Sequence, residues 1–172
     1  MEDATTVAKA TKVSADAAKK SVEHIPNVER VYVFFASATS DAIPDPHGFI
    51  KIKYSFKNSG RTPAILRRIQ IGAEYLESGF PTNIKFTYGD GNLPAPQIVR
   101  ADKTPPENDV LLRITGVDYE KAKIGIGRIF FWGKLTYFDV FGASHETGTC
   151  SEWHFGQSRF VISECGELNY YT

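Results

Sequence analysis

Residues 125–155, GIGRIFFWGKLTYFDVFGASHETGTCSEWHF, contain both tryptophans, two of the four histidines and one of the two cysteines of this 172-residue chain. The first half of the stretch is the most apolar part of the sequence, and its aromatic and β-branched residues favour sheets. The turn signal Phe141-Gly142-Ala143-Ser144 divides it. We therefore predict two core strands joined by a tight turn.

The clearest strand pattern outside this stretch lies at residues 50–57, where apolar residues alternate with lysine and serine. Such alternation gives an antiparallel strand one buried face and one solvated face. Shorter strand patterns occur at residues 29–38, 68–75 and 110–114. Together they predict an antiparallel β-sandwich of about seven to nine strands, immunoglobulin-like in architecture, with a β-barrel as the alternative.

A helix rich in alanine and lysine is predicted at residues 3–24, ahead of the strands. Small residues recur along it at heptad spacing, which gives a seam that buries little area. Pro26 is expected to end the helix, because proline lacks a backbone N–H donor and its ring clashes with the preceding turn. The predicted division is a helix or stalk at residues 1–26 and a β-sandwich domain at residues 27–172. The helix is either solvated or a stalk that pairs with copies of itself.

The charge and hydropathy of the chain exclude some classes of partner. Twenty basic residues balance twenty acidic ones, so no net field recruits nucleic acid. No segment approaches the roughly 20 apolar residues that span a bilayer. The N-terminus lacks the charged and apolar regions of a secretory signal. We expect no nucleic-acid partner and no membrane span in this chain.

The last predicted hairpin brings the two cysteines together. If Phe155 faces Phe160 across a four-residue loop, Cys150 lies opposite Cys165. Two cysteines directly opposed on neighbouring strands can reach disulfide distance. Trp153 then lies on the other face of the ribbon, in an apolar cluster with the two phenylalanines. Cys150 and Cys165 are therefore a candidate disulfide, which depends on this register.

The sequence carries little sign of catalytic chemistry. It has no phosphate-binding loop, dinucleotide fingerprint or zincin motif. A thiol site needs Cys150 beside an imidazole, yet strand alternation places His145 on the opposite face and His154 about 13 Å along the strand. Adding Cys165 does not give the paired spacing of a structural zinc site. We expect no catalytic residue, metal ligand or cofactor, and a protein that is not an enzyme.

The candidate binding surface lies elsewhere. Residues 77–108 contain five prolines and little strand pattern, and a loop-rich region of this length often carries the binding surface of a β scaffold. Phe80, Phe86 and Tyr88 from this region, together with Trp153, are the predicted contact residues. Trp153 is otherwise expected in the core or on a hairpin face. The predicted partner is an unknown protein or a small ligand.

Two motifs have the chemistry of tight connections. In NSGRTPA at residues 58–64, asparagine and glycine tolerate positive φ and proline fixes the exit. In YFDVFGASHETGTC at residues 137–150, Asp139 and Thr147 have side chains that can bond backbone groups near the turn.

With ERVYV at residues 29–33, these motifs resemble, in order, a widespread group of uncharacterised bacterial proteins. Members of that group have an N-terminal transmembrane segment, a helical stalk and a β-rich C-terminal domain. The resemblance implies that the chain, soluble as given, is the soluble part of a membrane-tethered protein. It implies no activity and no catalytic residues.

These observations predict a non-enzymatic binding or interaction module. One alternative is a structural subunit that self-associates through the N-terminal helix. The other is a thiol-dependent hydrolase that uses Cys150.

Overall fold

A computed structural model of the chain describes residues 4–28, 30–40, 43–78, 92–105, 107–162, 165 and 168–172. The chain divides into two units, Met1–Arg30 and Val31–Thr172. The first unit contains helix α1, Ala4–Val28, and the second contains all the described strands. No described helix has the length and apolar character needed to cross a membrane.

Helix α1 continues beyond its predicted end. It passes through Pro26 and ends at Val28, so the prediction that Pro26 stops the helix is wrong. A proline removes only its own N–H donor, and Pro26 lies in the last turn, where little helix remains to be disrupted. The described side chains of α1, Lys9 and those of residues 11–22, are all exposed. Self-association through this helix stays a prediction.

The second unit contains nine described strands and a short helix. The strands are β1 (Val33–Ser40), β2 (Phe49–Asn58), β3 (Ala64–Leu76), β4 (Asn92–Val99), β5 (Asn108–Arg113), β6 (Arg128–Phe138), β7 (Ser144–His154), β8 (Arg159–Ile162) and β9 (Tyr170–Tyr171). The short helix α2 covers Gly116–Lys123. Thr115 is its N-cap residue, and the Thr115 side chain accepts a hydrogen bond from the Asp118 backbone N–H.

The strands form two antiparallel sheets. One sheet has the order β1-β2-β5, and the other has the order β4-β3-β6-β7-β8, with β9 pairing along β7 as well. Strand β4, at one edge of the larger sheet, contains Pro94 and Pro96. The predicted mainly β, antiparallel class is confirmed, and the two sheets have a sandwich-like arrangement. The immunoglobulin-like detail stays a prediction.

The main core combines alternate residues of both sheets. Strand β2 contributes the buried face that its period-two pattern predicted, and β6 contributes the facing layer from the larger sheet. These two sets are Ile50, Ile52, Tyr54 and Phe56 from β2, and Ile129, Phe131, Leu135 and Tyr137 from β6. Gly133 makes close packing possible, because a Cβ there would lie 2.4 Å from the Phe35 ring.

Strand β6 is apolar on its other face too. There Phe130 and Trp132 pack with Cys150 and Cys165, against Leu76 and Leu168. We call these six residues the outer cluster. A buried layer on each side explains why residues 129–132 of β6, IFFW, are apolar without alternation.

The connection between β2 and β3 is organised by one buried amide. The Asn58 side chain donates to the main-chain oxygens of Thr62 (2.8 Å) and Val99 (3.0 Å) and accepts from the Gly60 N–H (2.9 Å). Asn58 is fully buried. The predicted tight connection is confirmed, but its expected basis is wrong, since neither Asn58 nor Gly60 has positive φ. The side-chain hydrogen bonds hold the turn instead.

The last hairpin has a different register from the predicted one. Trp153 faces Phe160, so the expected pairing of Phe155 with Phe160 is wrong by two residues. Phe155–Gln157 forms a 3-10 turn that removes Phe155 from the ladder. Cys150 and Cys165 nevertheless form a disulfide, with Cα atoms 5.9 Å apart. Because β8 ends at Ile162, Cys165 reaches Cys150 from beyond the ladder and not as a strand partner.

Candidate binding site

An open cleft lined mainly by aromatic side chains is the candidate site. Its volume is about 390 Å³. The lining residues are Tyr32, Val33, Phe34, Ser59, Tyr137 and Tyr171. We call it the aromatic cleft. None of the described residues that line it is charged, and Ser59 is the one among them outside the apolar and aromatic classes.

The start of β1 supplies one wall. Val31 and Val33 are buried, so the alternating residues Tyr32 and Phe34 point away from the core and are 38% and 41% exposed. The Ser59 N–H donates to the Tyr32 main-chain oxygen at 2.8 Å, which brings the end of β2 beside this wall. Strand alternation therefore exposes the two aromatic rings.

Tyr137, on β6, is fixed at the base of the cleft. Its hydroxyl accepts from the Val33 N–H at 3.4 Å and lies 3.4 Å from the Thr147 hydroxyl. Thr147 in turn donates to the Val33 main-chain oxygen at 2.6 Å. On one side the Tyr137 ring stacks on His145, with centroids 5.5 Å apart. These contacts tie β1 to β6 and β7 and leave the buried Tyr137 ring little freedom.

His145 has a structural position beside the cleft. Its Nε2 lies 3.1 Å from an Asp139 carboxylate oxygen, and its Nδ1 lies 3.0 Å from the Thr172 main-chain oxygen. Both partners are hydrogen-bond acceptors, so each ring nitrogen faces an oxygen atom. With both nitrogens engaged and the residue buried, His145 orients its neighbours and is not placed to act as a base.

Asp139 holds the turn between β6 and β7. Its second carboxylate oxygen accepts from the backbone N–H groups of Phe141 (2.9 Å) and Ala143 (2.8 Å), which confirms the predicted turn role. Burial alone would raise the pKa of Asp139. The hydrogen bonds from His145, Ala143 and Phe141 outweigh burial, and the pKa of the carboxyl lies below its ordinary value.

This pKa shift predicts a pH dependence of stability. A carboxyl whose pKa is lowered by folding stabilises the fold above its unfolded pKa of about 3.9, and this contribution disappears as pH falls through the lower folded value. We expect Asp139→Asn to reduce the free energy of unfolding by about 2 kcal/mol at pH 7, with the difference from wild type shrinking below about pH 4. Urea unfolding at pH 7, 5 and 3 measures it. A difference that stays constant over this range contradicts the pKa shift.

The chain's C-terminal segment supplies the last wall. We call Cys165 and residues 168–172 the strap. Its attachments are the disulfide to Cys150, the Asn169 side chain, which accepts from the Cys150 N–H at 2.8 Å, and the β9 ladder along β7. Tyr171 then meets Tyr32 edge to face, with ring centroids 6.5 Å apart and an interplanar angle of 79°.

The structure does not support the predicted contact surface where it can be compared. Phe80, Phe86 and Tyr88 lie outside the described residues. Trp153 is a correction: it is only 5% exposed and its ring packs against Phe160 in the main core. It lies on the core face of β7, so it forms no surface.

The state of the two sulfur atoms contradicts the hypotheses of a thiol site and of a metal site that uses these cysteines. Cys150 and Cys165 are bonded to each other, so neither provides a thiolate. Cys150 packs in the outer cluster, whereas His145 stacks on Tyr137, whose side chain belongs to the main core. Alternation thus separates them as predicted. Among the described residues no group of His, Cys, Asp and Glu could hold a metal ion.

Part of the cleft can be recognised from the sequence. Residues 31–35, VYVFF, alternate valine with aromatic residues, and once the valines are placed inside, Tyr32 and Phe34 must point outward. The sequence gives no comparable signal for Tyr171. Strand β9 is only two residues long, and the Cys150–Cys165 disulfide helps to position it.

A larger depression of about 540 Å³ lies elsewhere on the second unit. Its lining includes His47, Glu74, Arg113 and Asp118, so it combines charges of both signs and indicates no single ligand class. Its lining also includes Tyr75, near the end of β3. The lining of the aromatic cleft belongs mainly to one chemical class, so the cleft is the better candidate for a single kind of ligand.

Comparison of the chain with protein-family models, with curated proteins and with solved structures finds no match. The resemblance carried by residues 29–33, 58–64 and 137–150 therefore stays an expectation. The function of the chain is inferred from the geometry of the aromatic cleft.

Proposed function

We propose that the Val31–Thr172 unit is a non-enzymatic binding module and that the aromatic cleft is its ligand site. The observation that carries the proposal is the convergence of four aromatic side chains on one open cleft of about 390 Å³. Small-molecule sites in proteins are typically apolar clefts of about 300–1,000 Å³ with a few polar groups. The cleft has this size and this composition.

The walls of the cleft are held in place without a ligand. Tyr137 is buried and hydrogen-bonded, and Tyr171 is positioned by a ladder with Thr147 and by the disulfide that anchors the strap. A ligand therefore does not need to order the Tyr137 side chain or the backbone at Tyr171, which lowers the entropic cost of binding. Such preorganisation supports a binding role.

The lining also restricts the ligand. A carboxylate or phosphate group would lose its hydration in the cleft and find no cationic side chain among the lining residues. The site therefore suits a small, non-anionic ligand with apolar surface. Ser59 supplies a hydroxyl for one polar group of such a ligand.

A fragment screen on the isotope-labelled full chain tests this proposal. We expect a subset of small uncharged and cationic fragments to shift the amide resonances of Tyr32, Phe34, Ser59 and Tyr171. Tyr171→Ala should weaken these fragments about tenfold, because it removes one aromatic wall. Phe141→Ala is the matched control, since Phe141 is a half-exposed aromatic residue outside the cleft. Absence of any bound fragment, or equal losses in both variants, would contradict the proposal.

A further inference from the structure

We infer that the aromatic cleft is a cage for a quaternary ammonium group of the choline type. This inference rests on the proposed binding function and specifies the chemistry of its ligand. The shared feature of such ligands is a positively charged nitrogen that carries four carbon substituents and no N–H bond. They cannot be held by hydrogen bonds to that nitrogen, so the binding site must recognise the charge in another way.

Aromatic rings provide that recognition. The face of a tyrosine or phenylalanine ring carries negative electrostatic potential and attracts a cation within about 6 Å of its centroid. The cleft combines three tyrosines with Phe34. A quaternary ammonium group is weakly hydrated compared with a primary ammonium, so it loses little when water is replaced by rings.

The arrangement of the rings favours a compact group over a flat one. Tyr32 and Tyr171 are nearly perpendicular, with an interplanar angle of 79° and centroids 6.5 Å apart. A planar ligand stacks on one ring at a time, whereas a tetrahedral ammonium group presents methyl groups in several directions at once. Tyr137, on β6 of the larger sheet, adds a third aromatic residue, and it is held in place by Val33 and His145.

The charges around the cleft are consistent with a monocation. None of the described lining residues is Lys or Arg, so no side chain of either type repels the ligand there. None is Asp or Glu, so selectivity arises from the rings and not from an ion pair. The Ser59 hydroxyl, 3.5 Å from the Tyr32 main-chain oxygen, lies at the cleft and suits the hydroxyl end of a choline-like molecule.

The decisive experiment compares choline with its uncharged isostere, 3,3-dimethylbutan-1-ol, in which carbon replaces nitrogen. Both are titrated into the isotope-labelled full chain at matched ionic strength, and amide shifts of Tyr32, Phe34 and Tyr171 are followed. Choline should bind about tenfold more tightly than the alcohol, since the two differ in charge and not in shape. Equal affinity would overturn the cage and leave the binding function intact. Failure of both, while other fragments bind the same residues, overturns the cage as well.

Two substitutions of Tyr171 distinguish the effect of its aromatic ring from the effect of its size. Tyr171→Phe keeps an aromatic wall and should keep most of the preference for choline. Tyr171→Leu keeps apolar bulk without a π face, so it should lose part of the preference for choline while the other three rings remain. If both variants keep the full preference for choline, Tyr171 has no role in the cage. The side chain is 75% exposed, so both substitutions leave the fold intact.

The quaternary ammonium group could belong to a soluble molecule or to a lipid headgroup. Titration with choline and with phosphocholine tests the soluble source, and co-sedimentation with phosphatidylcholine vesicles tests the headgroup. Binding of choline supports the cage whether or not vesicles also bind. Vesicle binding that choline does not compete away, and that Tyr171→Leu does not reduce, would assign the interaction to another surface and overturn the cage.

Discussion

Replacing Asn58 with alanine is expected to lower the free energy of unfolding by about 4 kcal/mol, because each buried polar group that loses its partner costs about 1–3 kcal/mol. The Asn58 side chain makes three hydrogen bonds while fully buried. Alanine removes the donor to the Thr62 and Val99 oxygens and the acceptor for the Gly60 N–H. The β2–β3 turn and the end of β4 then lose the side chain that joins them.

Urea and thermal unfolding, each followed by circular dichroism and by tryptophan fluorescence, measure this effect. We expect the melting temperature of Asn58→Ala to fall by roughly 10 °C, following the usual relation between free energy and melting temperature for a domain of this size. Gln97→Ala is the matched control, since it removes an exposed amide from β4 and should change stability by less than about 0.5 kcal/mol. Similar stabilities of the two variants would show that the Asn58 network contributes little.

Alanine at both Cys150 and Cys165 is expected to reduce the free energy of unfolding by about 3 kcal/mol, since the disulfide closes a loop of 15 residues. A second effect should be local. The strap loses its covalent attachment and keeps the two-residue β9 ladder, the backbone hydrogen bond from Thr172 to Glu146 and a few side-chain hydrogen bonds. Amide hydrogen exchange at residues 168–172 should accelerate more than exchange in β2.

Urea unfolding and hydrogen exchange of the double variant test both effects, with chemically reduced wild type as a comparison. Gly148→Ala provides an independent route to the strap, because a Cβ there would lie 2.4 Å from the Leu168 main-chain oxygen while the disulfide stays formed. Both variants should speed exchange in the strap, and only the cysteine variant should lose the loop contribution. Unchanged exchange at Tyr170 and Tyr171 would show that the strap is held without the disulfide.

Local patterns predicted the strands best where packing follows from the chain itself. The alternation at residues 50–57 fixed the buried face of β2, and the turn signal after Asp139 placed the connection between β6 and β7 correctly. Both depend on short-range physics, namely the two-residue strand period and side-chain bonds to nearby backbone. The disulfide was predicted as well, although through an incorrect register.

The errors arose where a distant contact decides the outcome. The 3-10 turn at Phe155–Gln157 shifted the last hairpin, and no local signal distinguished it from a four-residue loop. Trp153 was proposed as surface, but the main core occupies that face of β7. The aromatic cleft combines the start of β1, a residue of β6 and the end of the strap, which are far apart in sequence. Their meeting depends on tertiary structure that no window of sequence contains.

The shared edge of β7 has a consequence for the behaviour of the protein at high concentration. An open strand edge exposes unpaired N–H and C=O groups, which can pair with a second chain and start aggregation. The outer edge on this side is divided between two short strands, β8 with four residues and β9 with two, which pair with Ser151–His154 and Thr147–Gly148 of β7. At the opposite side of the sheet, the prolines of β4 lack N–H donors. Both sides of the larger sheet thus carry features that discourage sheet-to-sheet growth.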